Sequence, residues 1–457
     1  MFRVSLGSTR PYCDGLSRRS FVQLGLAGMG TLGLGDVFRA RASANGIAAN
    51  KDTSLILIWL DGGPSHMDTY DPKPEAPAEY RGLWRHISTN VPGFDITEMF
   101  PLQSQIADLY SVVRSVHHDS GGHFHGGHWM LTGRPLKGPG TAQSSPFFGA
   151  IAGKVLGPRR AGMPAVVGVP YSMSIGLRPG YFGGNYLGGE HNPFETDGDP
   201  NADNFQVKNL NLAGGLTSER LGDRGLLNER LDRLRRELDR SGTADAIDGF
   251  DQQAFDLVTG SKARTAFDIS QETPEMRERY GRNSWGQSVL LARRLVEAGS
   301  TIVTCHFGGW DSHWNHQGTM ESHLPRVDRA VHGLLTDLKE RGRLDSTLVM
   351  VCGEFSRTPR MNDGGNGGPP LSKGTPGRDH WGNALAVMMA GGGLRGGQIV
   401  GATNRLGERP AERPLRPGDI HHTIFRVLGL DPEIAFEDHS GRPIPAIDHG
   451  AVIDELV

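Results

Sequence analysis

Three short apolar runs stand out along the chain because each breaks off into glycine and acid. Ser54–Leu60 (SLILIWL) runs into Asp61-Gly62-Gly63, Thr301–Cys305 (TIVTC) leads to Trp310-Asp311, and Thr347–Cys352 (TLVMVC) runs into Gly353-Glu354. Runs this short and continuous are the pattern of strands buried on both faces, as in a parallel sheet. Between them the apolar spacing changes to three and four. Ser288–Ala298 closes on Gly299, and Val327, Val331, Leu334, Leu335 and Leu338 fall on one stripe, so helices are predicted there. A charged helix is predicted over 216–240, with Leu227, Leu231, Leu234 and Leu238 packing on the domain or at a dimer contact. Strand alternating with helix predicts an α/β fold, a central mostly parallel sheet with helices on both faces. Ligands of such sheets sit beyond the carboxyl ends of the strands, which is where the acids of this chain fall.

No fixed-period repeat is present, so a solenoid or propeller is not expected. Residues 170–203 are dense in glycine, asparagine and aromatic residues without periodicity. They predict an excursion over the site, a lid for substrate, within a loop insertion at about 170–280 of a single domain spanning 50–457.

The first residues read as an address. Ser17-Arg18-Arg19-Ser20-Phe21-Val22 is a twin-arginine pattern, the stretch after it is mildly apolar, and Ala40-Arg41-Ala42 or Ala42-Ser43-Ala44 offers a cleavage site. The expectation is a signal peptide over 1–42, engaging the twin-arginine export machinery and delivering a periplasmic or extracellular protein; an ordinary N-terminal helix is the plainer alternative. Removal of that segment takes six arginines and two aspartates with it and moves the formal charge from −3 to −7, which argues against a nucleic-acid partner. Cys13 goes with the segment. Cys305 and Cys352 remain, each at the end of a buried strand, either paired or as buried thiols. No apolar stretch reaches the roughly 20 residues of a transmembrane helix.

Four groups of candidate ligands stand at or near strand ends. Asp61 lies in DGGPSHMDT with His66 and Asp68 behind it; Asp311 and His313 lie in GGWDSHWNH with His316; Glu354 opens GEFSRTPR; Asp379 and His380 lie in GRDHWGN. A divalent cation needs several carboxylate or imidazole ligands, which can come from distant strand ends. An acid after a strand is also a common cap or turn former.

A fifth feature is HHDSGGHFHGGHWMLTGRP, His117 to Pro135. A strand-Asp, a loop ending in Leu-Thr-Gly-Arg, a later Asp with His, another strand with an acid and a final His together resemble the alkaline phosphatase and sulfatase superfamily in order. The phrases DGGPSHMDTYDPKP, WDSHWNH, GEFSRTPR and GRDHWGN resemble more particularly a family of twin-arginine-exported bacterial proteins related to sulfatases. The resemblance runs from Leu55 to about Leu430.

It implies an alkaline-phosphatase-like central sheet and a divalent metal centre (zinc, calcium, magnesium or manganese). By the same resemblance Asp61, Asp311, His313, Glu354 and His380 match ligand positions, with Asp379 beside them, and Arg134 and Arg357 are candidates for holding an oxyanion. The sulfatase nucleophile stands eleven residues before the Arg of Leu-Thr-Gly-Arg, which here is His123, without the Pro and Arg that formylglycine formation requires. Phe355 stands where relatives carry histidine, and His313 follows Asp311 by two positions rather than four. His123 is therefore expected to bind the metal or position water, with attack by its imidazole as the alternative and Ser120 or Thr132 as substitute nucleophiles. The functional expectation is a metal-dependent hydrolase of sulfate or phosphate esters on a small molecule or glycan. The alternative is a silent relative that binds an anionic glycan and keeps its metal for structure.

Overall fold

The computed structural model describes residues 52–136, 145–207, 210, 261–364 and 375–457. The twin-arginine segment, Cys13 and the helix expected over 216–240 lie outside the described residues. An eight-stranded sheet forms the centre. Its strands are β1 (Ser54–Leu60), β2 (Tyr110–Val116), β3 (Val166–Val169), β4 (Phe194–Glu195), β5 (Ile302–Phe307), β6 (Thr347–Cys352), β7 (Leu385–Ala390) and β8 (Ile399–Val400). They lie in the order β8-β2-β7-β6-β1-β5-β3-β4. Every pair is parallel except those made by β7, which opposes both β2 and β6. The expected mostly parallel α/β sheet is therefore what the chain builds.

The continuous apolar pattern of β1 has a direct cause. Ile56, Ile58 and Leu60 enter one core layer while Leu55, Leu57 and Trp59 enter the other, and all six are buried. With a core on each face, no position is left for a polar residue. The first layer packs against α3 (Ser284–Ala298) and α4 (His316–Glu340), and the second against α1 (His123–Thr132), α2 (Phe148–Leu156) and α5 (Pro417–Leu428). Each fully buried aliphatic side chain contributes about 1.5–3 kcal/mol. The helix α3 begins where the Asn283 side chain accepts the N–H groups of Trp285 and Gly286 and stops at Gly299, whose φ of 120° suits glycine. The stripe from Val327 to Leu338 belongs to a longer helix than its spacing shows, since α4 starts at His316 and carries Pro325 inside it.

Cys305 on β5 and Cys352 on β6 are both free and buried. They flank β1 and enter opposite core layers, so two strand spacings, about 10 Å, separate them and the disulfide alternative falls.

Topology also gathers the chemistry. Asp61, Glu354 and Asp311 follow the carboxyl ends of β1, β6 and β5, and His123 opens α1 beyond the end of β2. Because β7 runs the other way, the segment entering it emerges at the same edge. In that segment His380–Trp381 pairs antiparallel with Ser356–Arg357, with His380 opposite Arg357. Among the described residues no helix is long and apolar enough to cross a membrane.

Candidate metal centre

Asp311 is the meeting point of the site. Its Oδ1 lies 3.0 Å from His313 Nε2 and 3.0 Å from His380 Nε2, and the two imidazole nitrogens lie 2.9 Å from each other. Its Oδ2 is 3.3 Å from His123 Nε2. Burial pushes the Asp311 carboxyl upward, but hydrogen bonds from His123, His313 and His380 and the charge of Arg357 outweigh it and hold the group well below the usual carboxylate range.

The outer nitrogens set the tautomers. His313 Nδ1 donates to Asp379 Oδ1 at 2.6 Å, and His380 Nδ1 donates to the Gly121 carbonyl at 2.7 Å. With Nδ1–H given outward, the Nε2 of a neutral ring presents a lone pair inward. In neutral rings those lone pairs and the carboxylate oxygen, 2.9–3.0 Å apart, form a donor set open to a cation, whereas a protonated ring donates to Asp311. Ligand atoms of a tetrahedral zinc ion at 2.0–2.1 Å would stand about 3.3–3.4 Å apart, a few tenths of an ångström wider than these, so the donor set fits a small divalent ion in number and type. Among the described residues, His123, Asp311 and His380 also place ligand atoms within 4.8 Å of one another.

His123 is the first residue of α1, not a loop residue, and Gly122 precedes it in extended conformation. Its Nδ1 donates to Glu354 Oε1 at 2.7 Å while Nε2 faces Asp311. Burial lowers its pKa, yet the two carboxylates more than compensate and raise it to about 9. Glu354 is fully buried and accepts the Gly62 N–H at 2.9 Å. Burial raises its pKa. Glu354, expected as a ligand, is the hydrogen-bond partner that aims His123. Phe355 lines the same corner, with ring centroids 4.5 Å from His380 and 5.0 Å from His123.

Other expected positions stand outside the triangle of Asp311, His313 and His380. Asp379 stands behind His313 as its hydrogen-bond partner. Asp61 turns to a separate set: Ser174 Oγ donates to its Oδ1 at 2.8 Å, the Ile175 N–H donates to its Oδ2 at 2.7 Å, and His306 Nε2 lies 3.1 Å from Oδ2. It is tied to the centre through the chain itself, since Gly62 bonds Glu354. Arg357 is fully buried beneath the site, its guanidinium donating to the carbonyls of Gly62, Gly63 and Arg378 and to Asp311 Oδ1 at 2.6 Å. With four of its five N–H donors on protein groups, it is buried and holds Asp311. Arg134 bonds Asp448 and the Pro445 carbonyl. It lies past the far end of α1, about 15 Å from His123 along a helix rising 1.5 Å per residue, and ties down its turn. Thr132 donates to the His128 carbonyl at 2.6 Å at that same far end, so it is no nucleophile.

His66, Asp68 and His316 are structural. His66 bridges Ser356 Oγ and the Gly407 carbonyl, and Asp68 joins His316 to Arg378. Ser174 and His306, the partners of Asp61, stand outside the candidates named from the sequence. His306 carried a usable signal, an imidazole within an otherwise apolar strand.

Residues 52–457 match the family model described as Protein of unknown function (DUF1501). The chain is similar to three solved structures at low identity. PsFucS1 sulfatase from Pseudoalteromonas sp. is 14% identical over 92% of this chain and 74% of that one, with a TM-score of 0.39. A protein in the alkaline phosphatase superfamily from Vibrio parahaemolyticus is 11% identical over 84% and 67%, with a TM-score of 0.35. The lipoteichoic acid synthase LtaP from Listeria monocytogenes is 10% identical over 84% and 73%, with a TM-score of 0.33. No curated protein matches the chain.

Proposed function

The chain belongs to the DUF1501 family, proteins of unknown function, and we propose that its activity is metal-dependent hydrolysis of phosphate or sulfate esters outside the cytoplasm. The observation that carries the reading is the inward triangle of Asp311 Oδ1, His313 Nε2 and His380 Nε2, each imidazole with its other nitrogen committed elsewhere. Asp311, His313 and His380 would hold a divalent ion, which would supply Lewis-acid polarisation of an ester oxygen and acidification of water. His123 stands at the open side of Asp311, oriented by Glu354, where it ligates or positions the attacking water. The amino end of α1 adds a positive dipole end beside it, which favours a tetrahedral anion. Export follows from Ser17-Arg18-Arg19-Ser20-Phe21-Val22.

The test is turnover of p-nitrophenyl phosphate and p-nitrophenyl sulfate by purified protein supplied in turn with zinc, manganese, magnesium and calcium. Expected is hydrolysis of one ester class that EDTA abolishes and that His123→Ala lowers by about 10²-fold or more. A bound ion with no turnover of either ester contradicts the hydrolase and leaves a silent glycan-binding relative.

A further inference from the structure

A groove of about 880 Å³ opens beside the centre, within the size range of small-molecule sites. The two are joined by side chains. Asp379 lines the groove while its Oδ1 accepts the His313 Nδ1–H, and Trp381, also in the wall, follows His380 in sequence. The groove's walls are held by a buried strut. Arg378 is fully buried and donates to the carbonyls of Tyr80, Arg81, Thr358 and Pro359, fixing both sides of the groove to the segment that carries His380.

The chemistry of the wall is uneven. Of the described residues that line it, Glu79, Asp363, Asp379 and Glu408 are carboxylates and Arg360 alone is cationic. Such a surface repels polyanions and favours positive charge. Asn315, Thr358 and Asn362 add amide and hydroxyl groups, and Tyr80 and Trp381 add flat rings. The Trp381 indole is fixed in place, its N–H donating to the Glu408 carbonyl at 2.8 Å. Rings with hydrogen-bonding neighbours suit a hydroxyl-rich molecule with an apolar face, and carboxylates around them suit an amine upon it.

We infer that this groove binds the organic part of the substrate and that this part is a hydroxyl-rich, amine-bearing group, an amino sugar in its simplest form. The assignment rests on the hydrolase reading for the word substrate, and it reverses the expectation of an anionic glycan.

Calorimetric titration of the full chain, with and without EDTA, uses three probes: the glucosamine trimer, its N-acetylated counterpart and a heparin-derived hexasaccharide. The trimer is expected to bind, the acetylated form about tenfold more weakly, and heparin not at all. Glu79→Gln with Asp363→Asn is expected to weaken trimer binding about tenfold, the product of two surface charge contacts, with an unchanged thermal midpoint. Absence of trimer binding, equal affinity for the acetylated form, tighter binding of heparin, or an unaffected double variant overturns the assignment. Because binding is read without turnover, trimer binding in a protein that hydrolyses no ester leaves the groove standing and removes only the hydrolase. Ester turnover with no trimer binding does the reverse.

Discussion

His313 and His380 differ in what holds them, and that difference is testable residue by residue. His380 is oriented by a main-chain carbonyl, which no side-chain change removes, whereas His313 is oriented by the Asp379 carboxylate. A carboxylate behind a ligating imidazole fixes its ring and raises its basicity. Asp379→Asn is therefore expected to lower zinc affinity by about 10–100-fold, measured by titration against a competing chelator. A loss far beyond that range would make Asp379 a ligand in its own right, and no loss would remove it from the centre. The residue scale is also where the sequence was least readable. Glu354 lies 231 positions from His123 and Asp379 lies 66 from His313. Which acid meets which imidazole depends on side-chain direction at the sheet edge, and spacing along the chain carries none of that. Arg134 and Arg357 are suitable anion binders by type, but each spends its donors on protein carbonyls and an acid.

Between elements, the segment behind the centre depends on the buried cluster of Asp68, Arg378 and His316. Arg378 Nε lies 3.0 Å and His316 Nε2 2.9 Å from Asp68 Oδ2, and Ser65 Oγ donates to the same oxygen at 2.6 Å. Burial works to raise the Asp68 pKa, but Arg378, then His316 and Ser65, hold it far below its ordinary value. A carboxyl depressed on folding stabilises the protein above its unfolded pKa, and that stability is lost as pH falls below about 4. Asp68→Asn leaves a buried guanidinium without its counter-charge, so urea unfolding at pH 7 is expected to show a loss of about 3 kcal/mol. The gap to the parent protein should narrow by about 1 kcal/mol at pH 3. A gap that is constant between the two pH values would mean that Asp68 carries no depressed charge. Elements themselves were legible where burial is complete. The bounds of β1 and β6 coincide with their apolar runs, while β2 (YSVVRSV) carries serines and a half-buried arginine that break its run, and β7 (LAVMMA) is written in residues that favour helix.

At the scale of the molecule, a single sheet direction explains why motifs spread from Asp61 to His380 converge. Parallel strands place their following residues at one edge, and β7, reversed, delivers His380 there from its amino end. That acids gather at this edge was thus readable from the buried strands they follow, and which side chains meet there was not. The same edge carries the groove, whose wall includes Asp379, the hydrogen-bond partner of His313. We propose that this edge holds a divalent cation through Asp311, His313 and His380. Elemental analysis of the purified protein, paired with a zinc titration of the EDTA-treated parent and of Asp311→Asn, tests it most directly. Expected are at least one divalent ion per chain in the parent, and binding that Asp311→Asn abolishes while the fold is retained. A metal-free parent that takes up no added zinc, or undiminished zinc binding in Asp311→Asn, would contradict it.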